Sequence, residues 1–201
     1  LVLLLALPCA VALLVFAEPM VATLFQRGAF DAAATRSTAL AVMGWGAGVL
    51  GLVAVKVAAP AYYARQDTTT PMKVAVAVLV LTQLLNLLFI GGLGMGVAAL
   101  ALSIGLAANA NAATLLWGLR RAGHYTPAPG WAGFALKVVL ASTLMGAAMA
   151  VLAHQVDWIA LGRREGLRAA AMAGALGGSA LLYFGVLAAS GIRLRSYMRR
   201  G

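Results

Sequence analysis

In a chain of 201 residues that is 63% hydrophobic and 10% charged, side chains able to do chemistry are few. Gln83 and Asn86 stand three apart inside the apolar run AVAVLVLTQLLNLLFI, so a helix there carries both amides on one face, with Thr82 beside them. Turning two amides to lipid is costly, which makes an inward-looking face the expectation. In the next apolar run Ser103, Asn111 and Thr114 fall close to one stripe. Two uses fit such residues. They can hold helices together by hydrogen bonds typically worth under ~2 kcal/mol each, or they can line a hydrophilic cavity for a polar substrate.

Catalytic groups are harder to find. His124 and His154 fall in different loops, the five acids are scattered, and no Cys, His, Asp or Glu cluster has metal-ligand spacing. No GxxxxGK[ST] phosphate loop occurs. Lys56 and Lys137 lie near the ends of apolar runs, and Glu18 directly precedes Pro19. The expectation is therefore no catalytic residue, no metal and no cofactor. Cys9, the single cysteine, cannot form an internal disulfide.

The elements that must position these groups follow from the solvent the composition demands. A mean hydropathy of +0.95 leaves too little polar side chain to cover a water-soluble surface. Within a bilayer only helices or closed barrels satisfy their backbone, and alternating ten-residue strand patterns are missing. We expect an all-α polytopic bundle of about six spans: Leu1 to about Phe25, Thr35 to about Tyr63, Met72 to Ile90, Gly96 to Leu119, Trp131 to Ala153 and Arg168 to Gly191. GWGAG at 44–48, GLGMG at 92–96 and GALGG at 174–178 have the small-xxx-small spacing that lets helices approach or flex.

Fifteen Lys and Arg against five acids would otherwise suggest nucleic acid, but here they sit in short clusters between apolar runs, which suits lipid headgroups and topology signals. Arg65, Lys73, Arg120, Arg121, Arg193, Arg195, Arg199 and Arg200 fall on one side, and Arg27, Arg36, Arg163, Arg164 and Arg168 on the other. The richer side, with the C-terminal tail IRLRSYMRR, is expected in the cytoplasm. Between spans two and three, KVAAPAYYARQDTTTPMK at 56–73 then forms a cytoplasmic turn: Lys56 snorkels, Tyr62 and Tyr63 join an aromatic belt, and Asp67 to Thr70 supply caps ahead of Pro71.

Three passages carry a resemblance: FQRGAFDAAAT at 25–35, the 56–73 stretch followed by TQLLNLLFI at 82–90, and LSIGLAANANAATLLWGLRR at 102–121. Together they resemble the C-terminal part of the lipid II flippase family (MurJ, also called MviN), within the multidrug, oligosaccharidyl-lipid and polysaccharide exporter superfamily. The resemblance implies fourteen helices with cytoplasmic termini, of which this chain corresponds to the last six. It implies residues 1–121 as part of the second lobe, and 131–201 as two additional helices and a basic tail that offer a groove to a polyprenyl chain. It further implies a multi-pass protein of the bacterial cytoplasmic membrane that moves an undecaprenyl-linked peptidoglycan precursor outward by alternating access, without hydrolysing ATP. Its partners would be that precursor, membrane lipids and the N-terminal helices of the same protein. Lys56, Arg65 and Asp67 would then belong to a cytoplasmic gate, and Gln83, Asn86 and Asn111 to the cavity, although a purely topological role for Arg65 and Lys73 fits as well.

The chain starts at Leu1 inside an apolar run without a basic leader, which reads as an N-terminally cut piece rather than a signal peptide. Two rivals remain on the residues alone: a sister exporter of undecaprenyl-linked polysaccharide or drugs, and a non-transporting membrane scaffold of the cell-wall machinery.

Overall fold

The computed structural model describes residues 2–96, 98–125 and 130–191, and its elements are helices. They are α1 (Val2–Val15), α2 (Ala17–Phe25), α3 (Ala32–Tyr63), α4 (Thr69–Asn86), α5 (Ala98–Arg121), α6 (Trp131–Gln155) and α7 (Glu165–Ala189). A π-helical turn, Leu87–Gly92, continues α4, and a short 3₁₀ turn, Ala160–Arg163, precedes α7. Among the described residues five helices are long and apolar enough to cross a membrane, or six if the bent α1–α2 pair counts as one span. The basic tail at 193–200 lies outside the described residues.

The first expected span is not one rod. It breaks at Phe16, and α2 leaves α1 at 75°. Pro19 accounts for the break, because it has no N–H to offer the Val15 carbonyl and its ring crowds that carbonyl. Two of the later helices start where an aspartate supplies a cap. Asp31 Oδ1 accepts the Ala34 N–H at 2.8 Å at the head of α3, and Asp67 Oδ1 accepts the Thr70 N–H at 2.9 Å in the first turn of α4.

Glycine sets the tightest packing. Gly44, Gly48 and Gly51 line the α3 face that meets Ala101, Gly105 and Ala108 of α5, so closely that Gly48 lies directly on Gly105. Gly46 faces the other way, onto Leu13 of α1. Small side chains thus let two backbones meet where lipid offers no hydrophobic drive. Among the described residues the other two glycine clusters do no such work: a Cβ at Gly92 would meet only the Leu88 side chain at 3.6 Å, and nothing stands within 4 Å of one at Gly94, Gly96, Gly174, Gly177 or Gly178.

The largest core joins α1, α2, α6 and α7 through Leu4, Phe16, Val138, Met145, Met149, Met172 and Leu187, with Trp158 from the α6–α7 connection set edge-on to Phe16 at 5.3 Å. A smaller one, Ala58, Tyr62, Leu115 and Leu119, closes the far ends of α3 and α5. Helix α4 lies at the margin: it packs on α5, and Pro71 is its one buried residue.

Candidate functional site

The six residues singled out from the sequence are not brought into one cluster. Lys56 is exposed on α3, and Arg65 is exposed in the α3–α4 turn. Among the described residues neither forms an ion pair within 4.0 Å, the two pairs present being Arg27–Glu165 at 3.5 Å and Arg36–Glu18 at 4.0 Å. Both of those are exposed, where such pairs contribute at most about 1 kcal/mol.

Asp67 is engaged in capping. The Thr70 N–H and then the Thr70 hydroxyl, with smaller help from the Thr69 N–H and the Lys73 charge, hold its carboxyl below the usual carboxylate range. Its own N–H and that of Arg65 both donate to the Tyr62 carbonyl, at 3.1 and 2.9 Å. Gln66 takes a φ of 60°, the left-handed conformation that lets the chain reverse in so few residues.

Tyr62 departs from the aromatic-belt expectation. Only Tyr63 is exposed; Tyr62 is buried, and its hydroxyl donates to the Leu115 carbonyl at 2.8 Å while resting on Gly118. A side chain larger than hydrogen at residue 118 would displace that hydroxyl. The turn is therefore bolted to the end of α5 by a buried hydrogen bond spanning 53 residues of sequence.

The amide face of α4 behaves differently from a packing seam. Gln83 is exposed, and Asn86 is half-buried with a covered Oδ1 that has no hydrogen-bond partner among the described residues. Asn111 on α5 has an Oδ1 in the same condition. The nearby hydroxyls are instead satisfied within their own helices: Thr82 donates to the Val78 carbonyl, Ser103 to Ala99 and Thr114 to Ala110, each at 2.8–2.9 Å. Gln83, Asn86 and Asn111 therefore keep polar atoms that this chain's described helices do not use.

The amide that does tie two helices together is Asn109, which the sequence reading passed over. Its Nδ2 donates to the Ala47 carbonyl at 2.7 Å and to the Gly105 carbonyl at 3.1 Å. It stands four residues after Gly105, on the stripe where α3 and α5 come closest, so the glycine spacing carried the signal. Arg168, expected at the start of the sixth span among the charges that set the topology, turns inward instead. It is 1% exposed on the first turn of α7, where its guanidinium donates to Gln26 Oε1 at 3.1 Å and to the Gln26 carbonyl at 3.3 Å. At the opposite end of α6, Lys137 Nζ donates to the Ser190 carbonyl at 2.7 Å and so terminates α7.

Two recesses open beside these groups. One, of about 620 Å³ at the α1–α2 elbow, is lined by Glu18, Arg36, His154 and Asp157 among apolar neighbours. The other, of about 450 Å³, is apolar and lies between Leu3, Ala54, Leu116 and Trp131. No group of three or more metal-ligating side chains occurs among the described residues.

Comparison with known proteins completes the description. The family model described as lipid II flippase MurJ matches residues 1–161. The chain is similar to the lipid II flippase MurJ of Burkholderia cenocepacia, 40% identical over 197 residues, covering 98% of this chain and 38% of that protein. It is also similar to the probable lipid II flippase MurJ of Vibrio cholerae, 30% identical over 194 residues, 95% of this chain and 36% of that one. With the probable lipid II flippase MurJ of Haemophilus influenzae it shares 37% identity over 146 residues, 73% of this chain and 28% of the relative. The chain thus spans little more than a third of the length of the first two relatives.

Proposed function

Because the chain belongs to the lipid II flippase MurJ family, we propose that it forms part of a flippase that carries an undecaprenyl-linked peptidoglycan precursor across the bacterial cytoplasmic membrane. In this reading α1 to α5 belong to the second lobe of the transporter, and α6 and α7 are two additional helices. The α3–α4 turn, with Arg65 and Lys73, and the C-terminal tail face the cytoplasm, as the loop charges favour. The chain is a transporter part and not an enzyme.

The observation that carries the reading furthest is the amide face of α4. An exposed Gln83 and an unpartnered Asn86 Oδ1 in a helix with a single buried residue are costly against hydrocarbon. They are well placed if that face borders a hydrated path for a polar headgroup. A precursor with a pyrophosphate and sugars needs hydrogen-bonding groups and cations along such a path. The spans described here supply amides. Lys56, exposed on α3, and Arg65 and Asp67 in the turn are the groups through which a cytoplasmic gate would close.

Replacing Gln83 and Asn86 together with Leu, in the complete polypeptide that carries these residues, tests this. Neither amide makes a hydrogen bond in the described structure, so insertion and abundance should hold while transport falls. Loss of the protein from the membrane together with its function would show that the two amides are packing contacts.

A further inference from the structure

We propose that α7 is a brace that sets the angle of the broken α1–α2 element, with Tyr183 and Arg168 as its two positioning residues. The local backbone does not fix that angle. On either side of the break the helical bonds are intact, Phe16 donating to Ala12 at 2.8 Å and Met20 to Phe16 at 3.1 Å, but Pro19 removes the bond that would have locked the two arms into one rod. Contacts from elsewhere must hold the 75° bend.

Helix α7 reaches both arms, and it does so at one open backbone acceptor in each. In α1 the Leu4 carbonyl would ordinarily accept from residue 8, but residue 8 is Pro and has no N–H. The Tyr183 hydroxyl donates to that freed carbonyl at 2.6 Å, with both residues 2% exposed. At the end of α2 the Gln26 carbonyl lies past the last helical turn, and Arg168 donates to it and to the Gln26 side chain. A cation at a helix C-terminus also suits the direction of the helix dipole. Between the two ties, Trp158, just ahead of α7 in the chain, presses edge-on against Phe16 at the elbow itself.

Helix α3 packs on both arms as well, through apolar contacts such as Leu13 on Gly46 and Val21 beside Ala39, and its one ion pair to the elbow among the described residues, Arg36–Glu18 at 4.0 Å, is long and exposed. Apolar surfaces tolerate sliding, whereas hydrogen bonds to named carbonyls fix register. The bend matters for the larger recess, since Ala17, Glu18 and Pro19 at the elbow form one wall of it and Arg36 of α3 lines it too. A change of angle would carry Glu18 away from Arg36.

The test is a distance measurement between spin labels at Leu5→Cys and Leu24→Cys, both exposed, in a Cys9→Ala background and in lipid nanodiscs. At a helical rise of 1.5 Å per residue, the bent element places the two Cα atoms about 23 Å apart and a straight rod about 28 Å. The parent chain should give one narrow population near the shorter value. Tyr183→Phe combined with Arg168→Leu should broaden it toward the longer one, and Gln26→Glu, which gives Arg168 a carboxylate, should narrow it. Arg168→Lys keeps a charge but cannot span both Gln26 acceptors; read beside Tyr183→Phe, it keeps the test standing should Arg168→Leu fail to fold. An unchanged distribution in the folded double variant, with only a lower melting temperature, would overturn the proposal, because the two contacts would then stabilise without positioning. The distance is informative whatever the chain transports.

Discussion

Adding one methyl group at Gly51 tests whether the α3–α5 seam is built on backbone contact. A Cβ there would stand 2.5 Å from both the Ala108 carbonyl carbon and the Asn109 nitrogen, where ordinary contact begins at 3.4 Å. Both neighbours are backbone atoms, so no side chain can swing aside and the helices must part by about 1 Å. Overpacking of that kind costs about 1–3 kcal/mol. Parting the helices also stretches the 2.7 Å bond from Asn109 to the Ala47 carbonyl, worth about 1 kcal/mol. Alanine returns up to about 1 kcal/mol as the better helix former, so Gly51→Ala should be net destabilising by about 1–3 kcal/mol. At roughly 2–4 °C per kcal/mol for a chain of this size, the melting temperature in detergent should fall by several degrees. Gly177→Ala provides the control, because no atom lies within 4 Å of its added Cβ. There only the helix-propensity gain remains, and the melting temperature should hold or rise slightly. Equal shifts at the two positions would refute the argument.

Two further expectations concern the turn and the topology. Because its hydrogen bonds hold the Asp67 carboxyl below its unfolded value of about 3.9, the stability Asp67 adds is fully present above about pH 4 and is lost as pH falls through the folded value. A plot of melting temperature against pH for Asp67→Asn should therefore run parallel to the parent above about pH 5 and converge with it in acid; a gap independent of pH would contradict the capping role. In a Cys9→Ala background, cysteine at Arg121 should be shielded from an impermeant thiol reagent added outside, and cysteine at Arg164 should react. The reverse pattern would invert the assigned orientation.

Much of the fold was legible because membrane helices leave a simple signature. Long apolar runs, the caps at Asp67 to Thr70 and the 44–48 glycines marked elements that the structure contains at nearly the expected bounds, whereas the Asp31 cap, which starts α3 at Ala32 rather than at Thr35, came from the structure. The Phe16 break was less legible. Glu18 and Pro19 announce a disturbed helix, but hydropathy runs straight through them, and nothing local states whether a proline kinks a span slightly or turns it by 75°. Glycine spacing was likewise ambiguous: the 44–48 and 174–178 clusters share a pattern, yet among the described residues only the first meets another backbone, since spacing defines a face without naming what lies opposite. Tyr62 and Arg168 were misjudged for one reason. Each stands at a helix end, where composition suggests an interface with water, and each turns inward to an acceptor distant in sequence, Leu115 and Gln26. At the candidate site the amides could be named from their spacing, whereas their lack of partners required the neighbouring helices.

The central claim, that these helices work as part of a lipid II flippase, is tested most directly in a chimera. The matching segment of the Burkholderia cenocepacia relative, which covers 98% of this chain, is replaced by residues 1–201, and the product is reconstituted in proteoliposomes. Lipid II reaching the outer leaflet is then read with an externally added transpeptidase. The chimera should translocate lipid II. Residues 1–201 alone should not, because once Arg36, Lys73, Arg120, Arg121 and the Gln26-bound Arg168 near the helix ends are set aside, Lys56 and Lys137 are the basic residues left within the spans, too few cations to carry a pyrophosphate through the bilayer. A chimera that inserts and folds yet leaves lipid II inside, or translocation at the chimera's rate by the 201-residue chain alone, would contradict the account.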